Sequence, residues 1–482
     1  MAENRLGSLA KQTAIYGLSS IVGRFLNYLL VPIHTHRMAA ESGGYGIVTN
    51  LYAYTALLLV ILTFGMETTF FRFANKEEEN PKKVFSTALW SVLGVSAVFF
   101  LLVFAFVSPI SSAMGYADHP SYIWVMALTV SIDAFQAILF SYLRYKKQAI
   151  KFASLKLLFI VLNIGLNLLY FLTAKEPQVG YVFYINLCCT AFITLFFAKE
   201  ITALRFGFDA PLMKRMLRYS WPILILGLAG ILNQTADKIL YPIVCPGEEG
   251  KVQLGIYGAV VKIAMIMAMI TQAFRYAYEP FVFGSVKDKD SKETYAKGMK
   301  YFIIFTLLAF LVVMGYLDIL RYIIQPGYWE GLKVVPIVMA AEIMMGVYFN
   351  LSFWYKVTDR TIWGAVFSGA GCLVLVAVNL IFIPKYGYMA CAWGGFAGYA
   401  VAMLLSYFVG KKYYPVPYAL KEIFLYVLLT AVLYGGMMLS GRYLGPVPRI
   451  AANTLLIIIF IGYIVWKDFP LRSLPVIGKY FR

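Results

Sequence analysis

The residues of this chain most able to do chemistry are charged side chains that lie inside long apolar stretches. A charge near the centre of a bilayer costs at least about 2.5–3.5 kcal/mol on insertion scales, so each one needs a partner, water or a function. The embedded basic residues are Arg24, Lys238, Lys262 and Arg275. The embedded acids are Asp133, Asp237 and Glu342, with Glu67 and Glu279 nearer the ends of their stretches. Guanidinium and ammonium groups at such depth suit the binding of a phosphate or diphosphate.

Arg24 lies near the middle of the first apolar stretch. Helical spacing places Ser20, Asn27 and Tyr28 around it, which gives this helix a polar face turned away from lipid. The alternative is a structural salt bridge to an acid on a neighbouring stretch, such as Asp133. We favour a position in a cavity, because arginines at this depth are rare.

Arg275 and Lys262 lie on the same apolar stretch. Arg275 has Glu279 one helical turn further on, so it forms either a local ion pair, in the weaker arginine-before-glutamate order, or a bidentate clamp for phosphate. Both interpretations remain open. Lys262 has no acid at helical spacing, so its charge must be met by another helix or by a ligand.

Asp237 and Lys238 are neighbours in the most polar segment found within any of the apolar stretches, which also contains residues 233–235. Adjacent side chains on a helix point about 100° apart, so these two are not expected to pair simply along the helix. The patch predicts a site for a coupling ion or a headgroup. Asp133 and Glu342 are further candidates for the coupling site, and Glu67 and Glu279 would lie at the cytoplasmic mouth. Interhelical hydrogen bonding is the alternative for the polar residues in the stretches.

Fourteen apolar stretches must position these residues. The chain has 482 residues, of which 61% are hydrophobic and 14% are charged, whereas a soluble domain is about half apolar and a quarter charged. One bilayer crossing needs roughly 20 apolar residues. The stretches lie near 12–34, 46–70, 84–108, 120–143, 154–173, 179–198, 219–244, 254–283, 299–317, 334–356, 361–383, 388–409, 420–440 and 449–467. We therefore predict an all-α polytopic membrane protein with about 14 transmembrane helices.

The net charge of +18 is explained by topology. The termini and the loops on their side hold 30 Lys and Arg residues, and the opposite loops hold 8. Basic residues accumulate in short cytoplasmic loops, so both termini are predicted to be cytoplasmic. Because the basic residues are spread over many short segments, they indicate contact with membrane lipids and not with nucleic acid.

The cysteines and histidines indicate no cofactor. There are five cysteines and three histidines, and none has the spacing of a metal site. We predict neither a metal nor a cofactor, and the cysteines are interpreted as small packing residues.

The sequence also contains an internal repeat. Matching segments at offsets of 210, 212 and 207 are 27–33 with 237–243, 44–48 with 256–260, and 177–181 with 384–388. Six stretches per repeat is an even number, so both copies enter the membrane in the same direction. Parallel repeats are typical of secondary transporters, whose substrate site lies between the halves. The predicted division is a six-helix lobe at 1–205, a second at 206–412, and two additional transmembrane helices with a cytoplasmic tail at 413–482.

The chain resembles the multidrug/oligosaccharidyl-lipid/polysaccharide exporter superfamily, and within it the O-antigen-type polysaccharide flippases. The resemblance covers nearly the whole chain. It rests on the segments LAKQTAIYG at 9–17, ESGGYGIV at 41–48, DKIL at 237–240, GIYGAVVKI at 255–263 and NLIFIPKYG at 379–387.

The resemblance implies two lobes around a central cavity, working by alternating access in the bacterial inner membrane. The implied substrate is a polyprenyl-diphosphate-linked oligosaccharide, flipped to the outer leaflet for polysaccharide or lipopolysaccharide biosynthesis. A proton or sodium ion is the expected coupling cation, and the chain is expected to be a monomer.

Three alternatives are weighed against this function. The first is a lipid II flippase, because arginines in helices 1 and 8 line the cavity in that branch and Arg24 and Arg275 occupy comparable helices. The second is a multidrug/cation antiporter, which would favour acids in the cavity. A membrane enzyme is disfavoured because the outward loops are short.

Overall fold

The computed structural model describes residues 28–284, 290–358 and 360–468, except for the side chains of residues 276, 277 and 279–284. Every long regular element in these residues is a helix. The α-helices are α1 (Leu30–Arg37), α2 (Gly44–Thr63), α3 (Met66–Ala74), α4 (Pro81–Ala105), α5 (Val107–Ala113), α6 (Pro120–Tyr145), α7 (Ala149–Thr173), α8 (Gly180–Leu195), α9 (Ala198–Ile201), α10 (Ala210–Val244), α11 (Glu248–Gly284), α12 (Ser291–Gly315), α13 (Leu317–Leu320), α14 (Val335–Leu351), α15 (Phe353–Val357), α16 (Ile362–Tyr386), α17 (Tyr388–Tyr413), α18 (Leu420–Tyr443) and α19 (Pro446–Lys467).

Twelve helical segments in the described residues are long and apolar enough to cross a membrane. A thirteenth is possible if Gly180–Leu195 and Ala198–Phe206, which meet at 67°, form one bent span. The first predicted stretch, 12–34, lies mostly outside the described residues. The all-α, multi-pass fold is therefore confirmed, whereas the count of about 14 stays a prediction.

The helices pack as two compact units. The first unit consists of Met1–Ala259 and Ser368–Gly395, and the second of Val260–Phe367 and Phe396–Arg482. Helices α11, α16 and α17 therefore contribute residues to both units. The lobe boundaries predicted from the repeat remain a prediction.

The core of the first unit is built on α4, α6 and α3, where Phe70, Phe85 and Leu139 are fully or almost fully buried. The chain turns sharply between α2 and α3, because Phe64 and Gly65 have φ angles of 34° and 71°. Gly65 permits this turn without strain, since a glycine tolerates the left-handed region. The turn sets the direction of α3 and therefore the position of Glu67.

The Tyr-Gly pair that recurs in the repeat, at 45–46 and 257–258, marks a close helix crossing in the first unit. A Cβ atom on Gly46 of α2 would lie 1.9 Å from the carbonyl oxygen of Lys251 in α11. A Cβ on Gly258, its counterpart in the repeat, would lie 2.3 Å from Oγ1 of Thr49. Both glycines are therefore required so that the two helices can approach this closely.

The additional helices α18 and α19 pack on α12 within the second unit. Lys300 of α12 forms ion pairs with Glu422 and Asp468, and the buried Tyr426 donates a hydrogen bond to Asp468. Further along, Asn453 Nδ2 donates to the carbonyl oxygen of Gly315 at 2.9 Å. These polar contacts fix the register of α18 and α19 against α12.

Candidate functional site

The predicted site residues differ in how far the structure describes them. Arg24 lies outside the described residues, and so does the side chain of Glu279. The others fall into the two units and are taken unit by unit, starting with the first.

Glu67 joins a polar cluster where α3 meets α6. Its Oε2 accepts hydrogen bonds from Ser141 Oγ and Arg144 Nη2, each at 3.1 Å. Arg144 Nη2 also lies 3.1 Å from Ser141 Oγ. The Glu67 and Arg144 side chains are 42% and 38% exposed, so this ion pair is solvated and weak.

Asp133 of α6 lies deeper and has a different environment. Thr190 Oγ1 of α8 donates a hydrogen bond of 3.3 Å to its Oδ1. Lys156 of α7 interacts with it electrostatically, and also with Glu67 and Arg144. Asp133 thus interacts favourably with a cation on another helix, although the two side chains are not within salt-bridge distance.

Lys156 connects these groups. Its side chain is exposed, and it interacts electrostatically with Asp133, Glu67 and Arg144. Its Nζ lies 4.0 Å from the centroid of the Phe140 ring, which is a cation–π contact. We name Glu67, Asp133, Arg144 and Lys156 the four-charge cluster.

Sequence reasoning missed half of this cluster. Arg144 and Lys156 count among the cytoplasmic basic residues, for which a topological role is sufficient. Lys156 nevertheless lies two turns inside α7, and that depth was the available signal. Its proximity to Asp133 depends on how α6 packs on α7, which no sequence spacing reveals.

Asp237 and Lys238 form an ion pair, so the expectation that these neighbours would not pair was wrong. Lys238 Nζ lies 3.0 Å from each carboxylate oxygen of Asp237 and 3.0 Å from the carbonyl oxygen of Gln234. The long lysine chain folds back along its own helix, which overcomes the angle between adjacent positions. Tyr257 Oη completes the site by donating a 2.8 Å hydrogen bond to Asp237 Oδ2.

The backbone around this pair is also fixed. Asn50 Nδ2 of α2 donates to the carbonyl oxygen of Lys238 at 2.8 Å, and Asn50 Oδ1 accepts from Tyr116 Oη at 2.8 Å. The side chains of Asp237 and Lys238 are only 8% and 20% exposed. The pair is therefore a nearly buried, locally satisfied group that links α2, α10 and α11.

In the second unit, Arg275 and Lys356 line one small cleft together with Asn350 and aromatic rings. The guanidinium carbon of Arg275 lies 4.8 Å from the centroid of the Phe349 ring. This is a cation–π contact between the ring face and the guanidinium. Lys356 was interpreted from sequence as a topological residue, so this pairing of cations is a finding of the structure.

Lys262 of α11 and Glu342 of α14 are half-buried residues of the second unit. Both engage in interactions within the protein. Neither lines the cleft around Arg275.

The fold matches solved transporter structures. The lipid II flippase MurJ in its inward closed conformation has a TM-score of 0.75 at 14% identity, over 95% of this chain and 99% of that chain. An inward-facing multidrug resistance MATE family transporter of the MOP superfamily has a TM-score of 0.66 at 16% identity, over 81% of this chain and 94% of that one. The MATE multidrug transporter DinF-BH has a TM-score of 0.61, also at 16% identity, over 85% and 96%. At these identities the likeness is one of fold.

The sequence comparison covers more than half of the chain. No curated protein matches it in sequence. Residues 9–278, however, match the family described as "Polysaccharide biosynthesis protein", which is part of the MOP superfamily. The chain is therefore a multi-pass membrane protein that belongs to the polysaccharide biosynthesis protein family.

Proposed function

We propose that this protein is a flippase that moves a polyprenyl-diphosphate-linked oligosaccharide from the cytoplasmic to the outer leaflet by alternating access. The proposed location is the bacterial inner membrane, with both termini in the cytoplasm, and the exported glycan would serve polysaccharide or lipopolysaccharide biosynthesis. A diphosphate bearing sugars cannot cross hydrocarbon unaided, so a transporter must supply a polar path.

The observation that carries the proposal is that Arg275 and Lys356 line one small cleft in the second unit, which would have to widen to admit a diphosphate. Two cations that line one cleft suit a diphosphate, because arginine can bind phosphate oxygens in a bidentate manner and lysine adds a point charge. Phe349 and Tyr278 are close by, and aromatic rings of this kind are suited to contact with sugars. We therefore assign diphosphate binding to Arg275 and Lys356.

The other predicted diphosphate ligands differ in how well they suit that role. Arg24 and Lys262 remain proposed ligands. Lys238 is the least suited, since its ammonium group already bonds both oxygens of Asp237. Releasing it would leave a nearly buried carboxylate without its charge partner.

We propose the Asp133–Lys156 pair as the coupling site for a proton or sodium ion. Asp133 has a single hydroxyl donor and a cation from a different helix. A coupling cation that binds Asp133 would compete with Lys156 and so change the attraction between α6 and α7. Asp237 and Glu342 are the alternative sites, and Asp237 is disfavoured because Lys238 occupies its oxygens.

Lipid II is the alternative substrate. It is favoured by the fold match to the lipid II flippase, which extends over 99% of that chain. Both substrates carry a polyprenyl diphosphate, so Arg275 and Lys356 would serve either one. Multidrug/cation antiport is third, since the proposed binding cleft is cationic.

Complementation distinguishes these substrates. We would express the protein in one strain that lacks its own polysaccharide flippase and in another depleted of its lipid II flippase. The proposal expects restored surface polysaccharide in the first strain and no rescue of growth in the second. Rescue of the second strain alone would assign lipid II as the substrate and contradict the proposed one.

Variants of the cleft test the diphosphate assignment. Arg275→Ala and Lys356→Ala are each expected to lower export strongly at unchanged protein level in the membrane. Lys412→Ala is the matched control, because Lys412 is an exposed lysine in the last turn of α17, outside the cleft. Normal export by both cleft variants would refute the assignment.

A further inference from the structure

The first unit carries an apolar groove on its surface that the proposed transport function does not use. It lies between α2, α4 and α10. Its lining is almost entirely apolar and includes Ile61, Trp90, Val95, Leu217 and Trp221. Trp221 is 63% exposed, which is high for the largest apolar side chain. In a membrane protein, such a face is covered by lipid.

The groove is preformed. Trp90 is fixed because its Nε1–H donates to the carbonyl oxygen of Leu204 at 3.0 Å. At Gly94, on the wall formed by α4, a Cβ atom would meet no other atom within 4 Å. This glycine therefore leaves open space on the α4 wall of the groove, which Trp90 and Trp221 also line.

The helices that form the groove run from headgroup level into the hydrocarbon. On α10, Lys214, Arg215 and Arg218 are followed by no further charge until Asp237. On α4, Gly94 lies eleven residues beyond Lys83, or about 16 Å along the helix axis. Tryptophan is enriched at this membrane–water boundary, where one edge of the ring stays polar.

Arg218 lies at the polar end of the groove and provides the charge. It is exposed, whereas Arg215 one turn away pairs with Glu79 at 2.7 Å. In the part of the chain that the structure describes, no acid lies within salt-bridge distance of the Arg218 guanidinium. A guanidinium at headgroup level next to an apolar groove matches the chemistry of an anionic lipid.

We propose that this groove binds one anionic phospholipid, with an acyl chain between Trp90 and Trp221 over Gly94 and the phosphate on Arg218. The lipid is a resident of the protein surface and is not the transported substrate. The proposal does not depend on the transport function, because the groove and Arg218 belong to the first unit and are separate from the cleft around Arg275.

Native mass spectrometry of the full-length protein tests the proposal. The detergent-purified protein would be titrated with phosphatidylglycerol and, separately, with phosphatidylcholine, and the bound lipid counted. We expect one phosphatidylglycerol to be retained in preference to phosphatidylcholine. Arg218→Gln should reduce this preference about fivefold, as expected for one basic residue at a membrane surface. Lys214→Gln, an exposed lysine one turn away and outside the groove, should leave it unchanged.

A second pair of variants tests the position of the acyl chain. Gly94→Leu fills the groove and should abolish the retained lipid. Gly165→Leu is the matched control, because Gly165 is an exposed glycine on α7 whose Cβ would also meet no atom within 4 Å. Both substitutions replace a helical glycine by a better helix former, so folding should survive. If Gly94→Leu fails to fold, Trp221→Ala, which removes one wall, takes its place.

Three results would overturn the proposal. The first is that the Gly94→Leu variant retains phosphatidylglycerol as the wild type does. The second is equal retention of the two phospholipids by wild-type protein. The third is displacement of phosphatidylglycerol by a polyprenyl phosphate at equal concentration, which would assign the groove to the tail of the substrate. Transport measured in the same variants stays a separate readout, so loss of lipid binding and loss of transport are distinguishable.

Discussion

Two aspartates embedded in the first unit interact with lysines in different ways. Asp237 is paired with Lys238 of its own helix and receives a hydrogen bond from Tyr257. Asp133 faces Lys156 on a different helix and receives one hydroxyl hydrogen bond. A pair within one helix keeps its geometry when helices move, whereas a pair between helices changes with every change in their packing. The comparison therefore supports a structural role for Asp237 and agrees with the proposal that Asp133 is the coupling site.

The largest expected effect is on stability at the Asp237 pair. Lys238→Met leaves a nearly buried carboxylate without its charge partner, so it should lower the free energy of unfolding by about 3 kcal/mol. Reversible unfolding in mixed micelles measures this change. The double variant Asp237→Asn/Lys238→Met removes both charges and should regain most of the loss while exporting glycan. If the double variant is no more stable than Lys238→Met, then Asp237 and Lys238 do not stabilise the fold by neutralising each other.

A smaller but functional effect is expected at the Asp133 pair. Lys156→Met should reduce glycan export about tenfold, equivalent to about 1.4 kcal/mol, with little change in the amount of folded protein. Lys146→Met is the control, because Lys146 is an exposed lysine just after the end of α6. The double variant Asp133→Asn/Lys156→Met should not recover export, in contrast to the rescue expected for Asp237 and Lys238. Recovery would mean that both pairs are structural.

The dependence of transport on a cation gradient tests whether Asp133 is the coupling site. In vesicles that contain the purified protein, Asp133→Asn should make the remaining export independent of an imposed proton or sodium gradient. The reason is that a neutral amide cannot bind a proton or sodium ion in competition with Lys156. Glu342→Gln should keep the dependence. An unchanged gradient dependence in Asp133→Asn would move the coupling site elsewhere.

The smallest effect is expected at the solvated edge of the four-charge cluster. Arg144→Gln removes an ion pair whose side chains are 38% and 42% exposed. Exposed pairs contribute at most about 1 kcal/mol, so the free energy of unfolding should fall by less than that. Thermal unfolding in detergent at low and high salt measures this change. A large loss of stability that does not depend on salt would contradict the weak, solvated ion pair between Glu67 and Arg144.

The motifs of the repeat were predictable, and the structure supplies their physical reason. The Gly-Tyr-Gly segment at 44–46 and the Ile-Tyr-Gly segment at 256–258 were recognisable from their near-constant offset. Their glycines allow α2 and α11 to cross with no space for a Cβ atom at Gly46. The segments that carried the family resemblance are thus structural at these positions, and for that reason they do not identify the substrate.

The site was only partly predictable. Arg275 was singled out because a charge in an apolar stretch is conspicuous, whereas Lys356 and Lys156 were hidden near the ends of their stretches, where basic residues are expected anyway. The geometry of Asp237 and Lys238 was predicted wrongly, since helical angles describe Cβ directions and ignore the reach of a four-carbon side chain.

The sequence by itself determined that this chain is helical, crosses the membrane many times and belongs to its family. Those properties follow from local apolar length and from short motifs, which are written along the chain. Tertiary structure alone decided which charges neutralise each other, which cations share a cleft and where an apolar groove stays open. These depend on distances between helices, and the energy of a charge is set by its neighbours in space rather than by its neighbours in sequence.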